Sequence, residues 1–340
     1  MKPKFVILIL GYLLFMQTIT SCKKEGNEPD QMKIGMFVNG EGYNDEGYKQ
    51  NCKEGLLMAL NDYSFDTLFT SALTNIQAEL DYFPENNFDV LFLAGAINKD
   101  ELLVTAEKHL DKKFVIIDYS YEGALNNVWS IDYNIDEAAF PIGFLAAAWS
   151  VMKDVEAPVV AIVGGMDILP IQRYMIGYQN GILYFNEKYG KNVGVINSII
   201  NTFDNADHGY EVTDSLITNQ SADVILVAAG NAGNGALYAA KDNGKWAAGT
   251  DVDQSVSLPD LSETLLTSCM KRLDTTVYSV AVSFLDDNVE IEKVYTGTLE
   301  NHGVSMAPFH VFDDEIPDSI QLAIEEIKAG IMDGSIATGF

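Results

Sequence analysis

Short apolar runs alternate with helix-patterned segments along almost the whole chain, and each run ends in a polar or glycine-bearing turn. Such a rhythm confines the fold to the α/β class. Strands buried on both faces read as near-continuous apolar runs, and the crossovers between parallel strands are helices with one apolar stripe. The stretch KIGMFVNGEGYNDEGYKQNCKEGLLMAL, from Lys33 to Leu60, sets the pattern. Ile34, Met36 and Val38 form a strand that stops at Asn39-Gly40. From Asp45 the spacing becomes helical, with Tyr48, Cys52, Leu56 and Leu60 four residues apart, and the Asn44/Asp45 pair can cap the first free amides. Gly40 and Gly42 are not a dinucleotide fingerprint, because the G-x-G-x-x-G spacing fails at Asp45.

Further strands are expected over 89–95, 114–118, 159–163, 193–200, 222–229 and 246–250, with helices between them, a long apolar one over 136–152 among them. These make two successive βαβα series of similar length and hence two Rossmann-like lobes. In parallel sheets the strand ends carrying the loops face the ligand crevice. The turns at Asn39, Asp118, Gly165, Gly230 and Asp251 are therefore expected to face the cleft between the lobes. Segments 265–270, 273–284 and 290–306 read as late returns of the chain, giving a hinge of several strands that favours closure around a ligand. An amphipathic helix over 316–331 closes the chain. The expected division places 33–130 and 255–288 in the first lobe, and 131–254 and 289–340 in the second.

Residues 1–21 read as a leader rather than as part of the fold. Lys2 and Lys4 precede an apolar run from Phe5 to Met16, long enough for a signal-peptide core and short for a membrane span. Ile19-Thr20-Ser21-Cys22 resembles a bacterial lipobox, in which Cys22 is acylated and becomes the mature N-terminus; residues 22–32 then form a polar tether. The body is expected to be lipid-anchored at the bacterial cell membrane, facing the periplasm or exterior. The formal charge of −28 would repel nucleic acid and anionic lipid. With 340 residues, 48% of them hydrophobic, the chain can bury one large core or two medium ones. Four scattered histidines and no clustered cysteines imply no metal site. No cofactor is implied either. Cys52 and Cys269 are expected as buried thiols, with a disulfide between them left open.

Six separated motifs together resemble the basic membrane protein family, the lipoprotein substrate-binding components of ABC transporters that include purine nucleoside receptors. They are GYNDEGYKQNCKEGL (42–56), DEAAFPIGFLAA (136–147), GGMDILPIQRYMIGYQNGI (164–182), VAAGNAGNGAL (227–237), GTDVDQS (249–255) and TSCMKRLDTTVY (267–278). The resemblance implies the type I periplasmic binding protein fold, a nucleoside-like ligand and an ABC permease as partner. It also implies roles for single residues. Tyr48 and Phe203 fall on aromatic positions that stack on a base, Asp251 on an aspartate that accepts from ribose hydroxyls, and Lys271 on the lysine beside it. Asp118 matches an acidic contact, and Gly230 lies in a loop close to the ligand. Asn39 and Lys49 depart from the family pattern, standing where aspartate and asparagine are usual, so the ligand edge they meet is changed. Two other classes stay open. A nucleoside or glycoside hydrolase could use Asp45, Asp118, Asp251 and Asp253 as paired carboxylates, although no G-x-S-x-G elbow is present. A receptor without transport is the other.

Overall fold

A computed structural model describes residues 31–123, 125–153 and 157–340. The expected leader, Cys22 and most of the tether lie outside the described residues. The first series runs β1 (Lys33–Asn39), α1 (Tyr48–Asp62), β2 (Asp66–Ala72), α2 (Ile76–Glu85), β3 (Val90–Ala94), α3 (Lys99–Lys108), β4 (Lys113–Ile117) and β5 (Val128–Tyr133). The second runs α4 (Asp136–Met152), β6 (Val159–Gly164), α5 (Leu169–Tyr189), β7 (Gly194–Ile199), α6 (Ala206–Gln220), β8 (Ala222–Ala228), α7 (Gly230–Asp242) and β9 (Trp246–Asp251). The chain ends with α8 (Gln254–Ser257), β10 (Leu265–Lys271), α9 (Leu273–Leu285), β11 (Val294–Gly297), β12 (Val304–Met306) and α10 (Asp318–Met332).

Two sheets result, ordered β11-β5-β4-β3-β1-β2 and β12-β10-β9-β8-β6-β7. All neighbours are parallel except β10 and β12. The central strands explain themselves by composition: every residue of β3 (VLFLA) and β8 (ADVILVA) is buried, as helices on both faces require. Helix α4 is apolar around almost its whole circumference and is buried accordingly, with Phe140, Phe144 and Trp149 in the core. Helix α10 covers it with Ala323, Ile324 and Ile327.

The late returns differ from the expected division. Strand β10, expected in the first lobe, pairs with β9 in the second sheet, and β11, expected in the second, pairs with β5 in the first. The cause is packing of the segment between them. Helix α9 buries Leu273, Val277, Val280 and Ala281, and its partner is α1 of the first lobe. The chain must therefore leave the second sheet at the end of β10 and join the first before β11. Among the described residues it crosses between the sheets after β5, after β10 and after β11. The unit β2–α2 was not read in the sequence. Its strand mixes Thr and Ser with Leu and Phe at a sheet edge, and Pro84 lies inside its helix. Helix α7 starts at Gly230 itself, where a turn is expected, because the small residues GNAGNG are helical.

Candidate functional site

The carboxyl ends of β1, β3, β4, β8, β9 and β10 converge on one cavity between the sheets. All eight residues singled out in the sequence line it: Asn39, Tyr48, Lys49, Asp118, Phe203, Gly230, Asp251 and Lys271. Apolar wall comes from Leu93, Ala94, Ile168 and Ile171, among others.

Helix α1 delivers Tyr48 and Lys49 from its first turn. Gly47 precedes the helix and has no side chain to cap it, so Asp45 does so from two residues upstream. Its Oδ1 accepts from the amides of Gly47 and Gln50 at 3.2 and 3.1 Å, and its Oδ2 from the amide of Lys49 at 3.0 Å. Burial raises the Asp45 carboxyl above its ordinary range, and these amides pull the other way. The phenol of Tyr48 donates to the Ile117 carbonyl at 3.3 Å, which ties the ring to the end of β4. Phe203 enters from the other lobe, in the loop after β7. It sits over Gly165, where a Cβ would come within 2.3 Å of its ring, so the loop after β6 needs a glycine there.

The charged groups form two sets. In the first, Lys271 at the end of β10 is 3% exposed, and its Nζ donates to both oxygens of Asp118, at 2.8 and 2.7 Å. The same Nζ stands 3.8 Å from Asp251 Oδ1, which accepts from the Tyr174 hydroxyl at 3.0 Å. Burial lowers the affinity of Lys271 for its proton, but Asp118 and Asp251 outweigh this and leave its pKa raised. Asp251 is pushed up to about 6, chiefly by burial and also by Asp118, while Lys271 and the Tyr174 hydroxyl oppose the shift. Lys271 is thus a close partner of Asp118 across the cleft rather than of its neighbour Asp251. Both aspartates have left-handed backbones, with φ of 70° and 68°.

The second set joins the lobes at Lys49, whose Nζ donates to Asp204 Oδ1 at 2.6 Å. Two further hydrogen bonds cross the cleft: Asn234 Nδ2 donates to the Asp45 carbonyl at 3.0 Å and Ser257 Oγ to the Glu46 carbonyl at 2.9 Å. A clasp of this kind belongs to a closed arrangement of the lobes. Sequence reasoning missed Tyr174 and Asp204. Tyr174 falls on the buried stripe of α5, where an aromatic reads as core, and Asp204 lies beside Phe203 with its lysine 155 residues away.

The four carboxylates considered for hydrolysis have other partners. Asp45 caps α1, Asp118 is held by Lys271, Asp251 accepts from Tyr174, and Asp253 meets His310 Nε2 at 2.7 Å. Cys52 and Cys269 are buried free thiols. Among the described residues there is no cluster of three or more His, Cys, Asp or Glu that could hold a metal ion, and no helix long and apolar enough to cross a membrane.

Known proteins share both the sequence and the fold. The model of the family described as "ABC transporter substrate-binding protein PnrA-like" matches residues 31–335. Basic membrane protein B of Borreliella burgdorferi is 27% identical over 299 residues, which span 84% of this chain and 82% of that protein. An uncharacterised lipoprotein of Pyrococcus abyssi is 30% identical over 316 residues, 89% of this chain and 76% of its own. The crystal structure of an ABC transporter solute-binding protein from Aeropyrum pernix K1 superposes with a TM-score of 0.83 at 20% identity, covering 90% of this chain and 92% of that one. The two-lobed architecture is thus the type I fold of periplasmic solute-binding proteins, and the chain belongs to the family of PnrA-like ABC transporter substrate-binding proteins.

Proposed function

We propose that this chain captures a nucleoside, a purine nucleoside first among them, in the cleft between its lobes and delivers it to an ABC permease. The observation that carries this reading is the composition of one cavity: Tyr48 and Phe203, aromatic rings from opposite lobes, line it together with a partly buried carboxylate, Asp251, which among the described residues has one hydrogen-bond partner, the Tyr174 hydroxyl. A flat base suits stacking on such rings, which adds to apolar burial and tolerates different bases. Ribose hydroxyls are donors and match the free acceptor capacity of Asp251. In this reading Lys271 keeps Asp251 and Asp118 in place, the amides at the start of α7 approach the ligand at Gly230, and Asn39 and Lys49 meet another of its edges. Acylation at Cys22 would hold the body at the membrane beside its permease.

The test is a thermal-shift screen of protein stripped of ligand by unfolding and refolding, against nucleosides, free bases, sugars and amino acids. A ligand at a hundred times its dissociation constant stabilises by about 2.7 kcal/mol, an easily read shift. Stabilisation by inosine, guanosine or adenosine supports the proposal; stabilisation by sugars or amino acids with none from nucleosides overturns the ligand assignment.

A further inference from the structure

Lys49 differs from the other cation of the cavity in how its hydrogens are used. Lys271 has both oxygens of Asp118 within 2.8 Å and Asp251 at 3.8 Å. The Lys49 side chain is 9% exposed, and among the described residues its ammonium has one hydrogen-bond acceptor, Asp204 Oδ1. An ammonium carries three donors, and a buried donor without an acceptor is costly. Its head group cannot simply swing away. Asp204 holds it from the second lobe, and the backbone of Gly40 lies so close that a Cβ there would be 2.5 Å from Nζ.

Position and polarity then indicate what meets it. Lys49 follows Tyr48 in the chain and lines the same cavity as Tyr48 and Phe203, while Asp204, its partner, follows Phe203. The cavity wall therefore carries a carboxylate with acceptor capacity left, Asp251, and an ammonium with donors left, Lys49. A nucleoside has matching ends, hydroxyl donors on the sugar and a base edge whose polarity depends on its substituent. A carbonyl oxygen on that edge accepts from Lys49. An amino group in the same place sets donor against donor and leaves the ammonium unpaired.

We infer that Lys49, held in place by Asp204, is a specificity-determining residue that selects nucleosides whose base presents a carbonyl oxygen over those presenting an amino group. The inference rests on the nucleoside reading of the site and narrows it. Titration calorimetry of the full chain with two matched pairs, inosine against adenosine and uridine against cytidine, is the test. Within each pair that binds, the carbonyl member is expected to be tighter by about ten- to a hundredfold, the range that one hydrogen bond to a charged group supplies. Lys49→Met and Lys49→Gln are measured alongside, with the melting temperature of the unliganded variants reporting whether each folds. If Lys49→Met does not fold, Lys49→Gln carries the comparison, because it keeps the length and loses the charge.

Loss of tenfold or more in inosine affinity with adenosine unchanged or improved supports the role. Equal binding of the members of each pair by the natural protein overturns it, as does an equal loss for both members in the variants, which would make Lys49 a lobe clasp only. In both of those outcomes the nucleoside reading stands. Binding by none of the four nucleosides overturns this inference, and if guanosine gives no thermal shift either, the nucleoside reading falls with it.

Discussion

In each lobe the strand beside the central β3 or β8 hands over to an aspartate in the left-handed region: Asp118 after β4, at φ 70°, and Asp251 at the end of β9, at φ 68°. One strand further on the lobes part. Strand β5 ends on Tyr133 and its counterpart β10 on Lys271. A single cation therefore serves two equivalent carboxylates, and it sits closer to the one in the opposite lobe, at 2.7 Å, than to the one in its own, at 3.8 Å. Left-handed backbone at a residue other than glycine costs of order 1 kcal/mol, and such strain gathers where function requires a side chain in one place. Topological repetition thus supplies two matched acceptors, and the unequal sharing of Lys271 separates their tasks. Both oxygens of Asp118 accept from Lys271, whereas Asp251 accepts from the Tyr174 hydroxyl and stands 3.8 Å from the ammonium, so more of its acceptor capacity is left.

Removing the shared cation is the harshest way to break this comparison. Lys271→Met leaves two buried carboxylates without their counter-charge, and the loss of one partner from a buried ion pair costs roughly 3–5 kcal/mol. Chemical denaturation of the variant should show a loss of that order at neutral pH; a loss under 1 kcal/mol would mean that the cation is not needed to hold the lobes' strand ends together. Next in size is the contrast between the aspartates themselves. Asp251→Ala is expected to weaken nucleoside binding by about a hundredfold, since two hydrogen bonds to a charged acceptor are lost, while unfolding free energy changes less, because removing a carboxylate whose pKa burial raises offsets the acceptor lost to the Tyr174 hydroxyl. Asp118→Asn should do the reverse, lowering stability by about 1–3 kcal/mol and affinity by less than tenfold. Calorimetry and denaturation on both variants read the two effects separately, and an equal pair of effects in the two would erase the distinction.

The proton affinity of Asp251 sharpens the same point. Its pKa is about 6 in the folded protein against an ordinary carboxylate value of 3.8, so the folded state takes up its proton first as pH falls. For a group raised on folding, the stabilising contribution is fully present below the unfolded value and is lost as pH rises through about 6. The natural protein, compared with Asp251→Asn, should therefore lose at most about 3 kcal/mol of relative stability between pH 3.8 and pH 7, by the linkage of 1.36 kcal/mol per unit. Binding runs the other way. Ribose hydroxyls favour the ionised carboxylate, so affinity should fall by up to tenfold per pH unit below 6, and Asp251→Asn should flatten that slope. A flat profile in the natural protein would mean that Asp251 does not meet the ligand.

Asn39, Asp118, Gly230 and Asp251 could be expected at the cleft from the sequence because they close strongly patterned strands, whereas Phe203 and Lys271 are offered only by the family resemblance. The bounds of α4 agree residue for residue, since an all-apolar segment flanked by Asp136 and Lys153 has few other ways to fold. What escaped were partners fixed by long-range packing. Nothing local marks Asp204 as the acceptor for Lys49, and Tyr174 reads as core because its ring is on the buried stripe of α5 while its hydroxyl reaches Asp251, 77 residues on. The sheet membership of β10 was missed for a similar reason. A short apolar strand suits either sheet, and the docking of α9 on α1 decides where the chain crosses.

The smallest expected effect concerns the edge of the clasp, where Ser257 in the second lobe donates to the Glu46 carbonyl in the first. This hydrogen bond is exposed, so water replaces it readily when the lobes part, and its net contribution is about 0.5–1 kcal/mol. Closure and binding are linked: a contact made only in the closed form adds its free energy to the apparent affinity for a ligand that closes the lobes. Ser257→Ala should therefore weaken ligand binding by about two- to fivefold through faster dissociation, without altering the preference among nucleosides, because Ser257 is not among the residues lining the cavity. Stopped-flow dissociation rates for two nucleosides would check it. A change in their ratio would place Ser257 in recognition, and unchanged rates would show that closure rests on the Lys49–Asp204, Asn234–Asp45 and Lys271–Asp118 contacts without it.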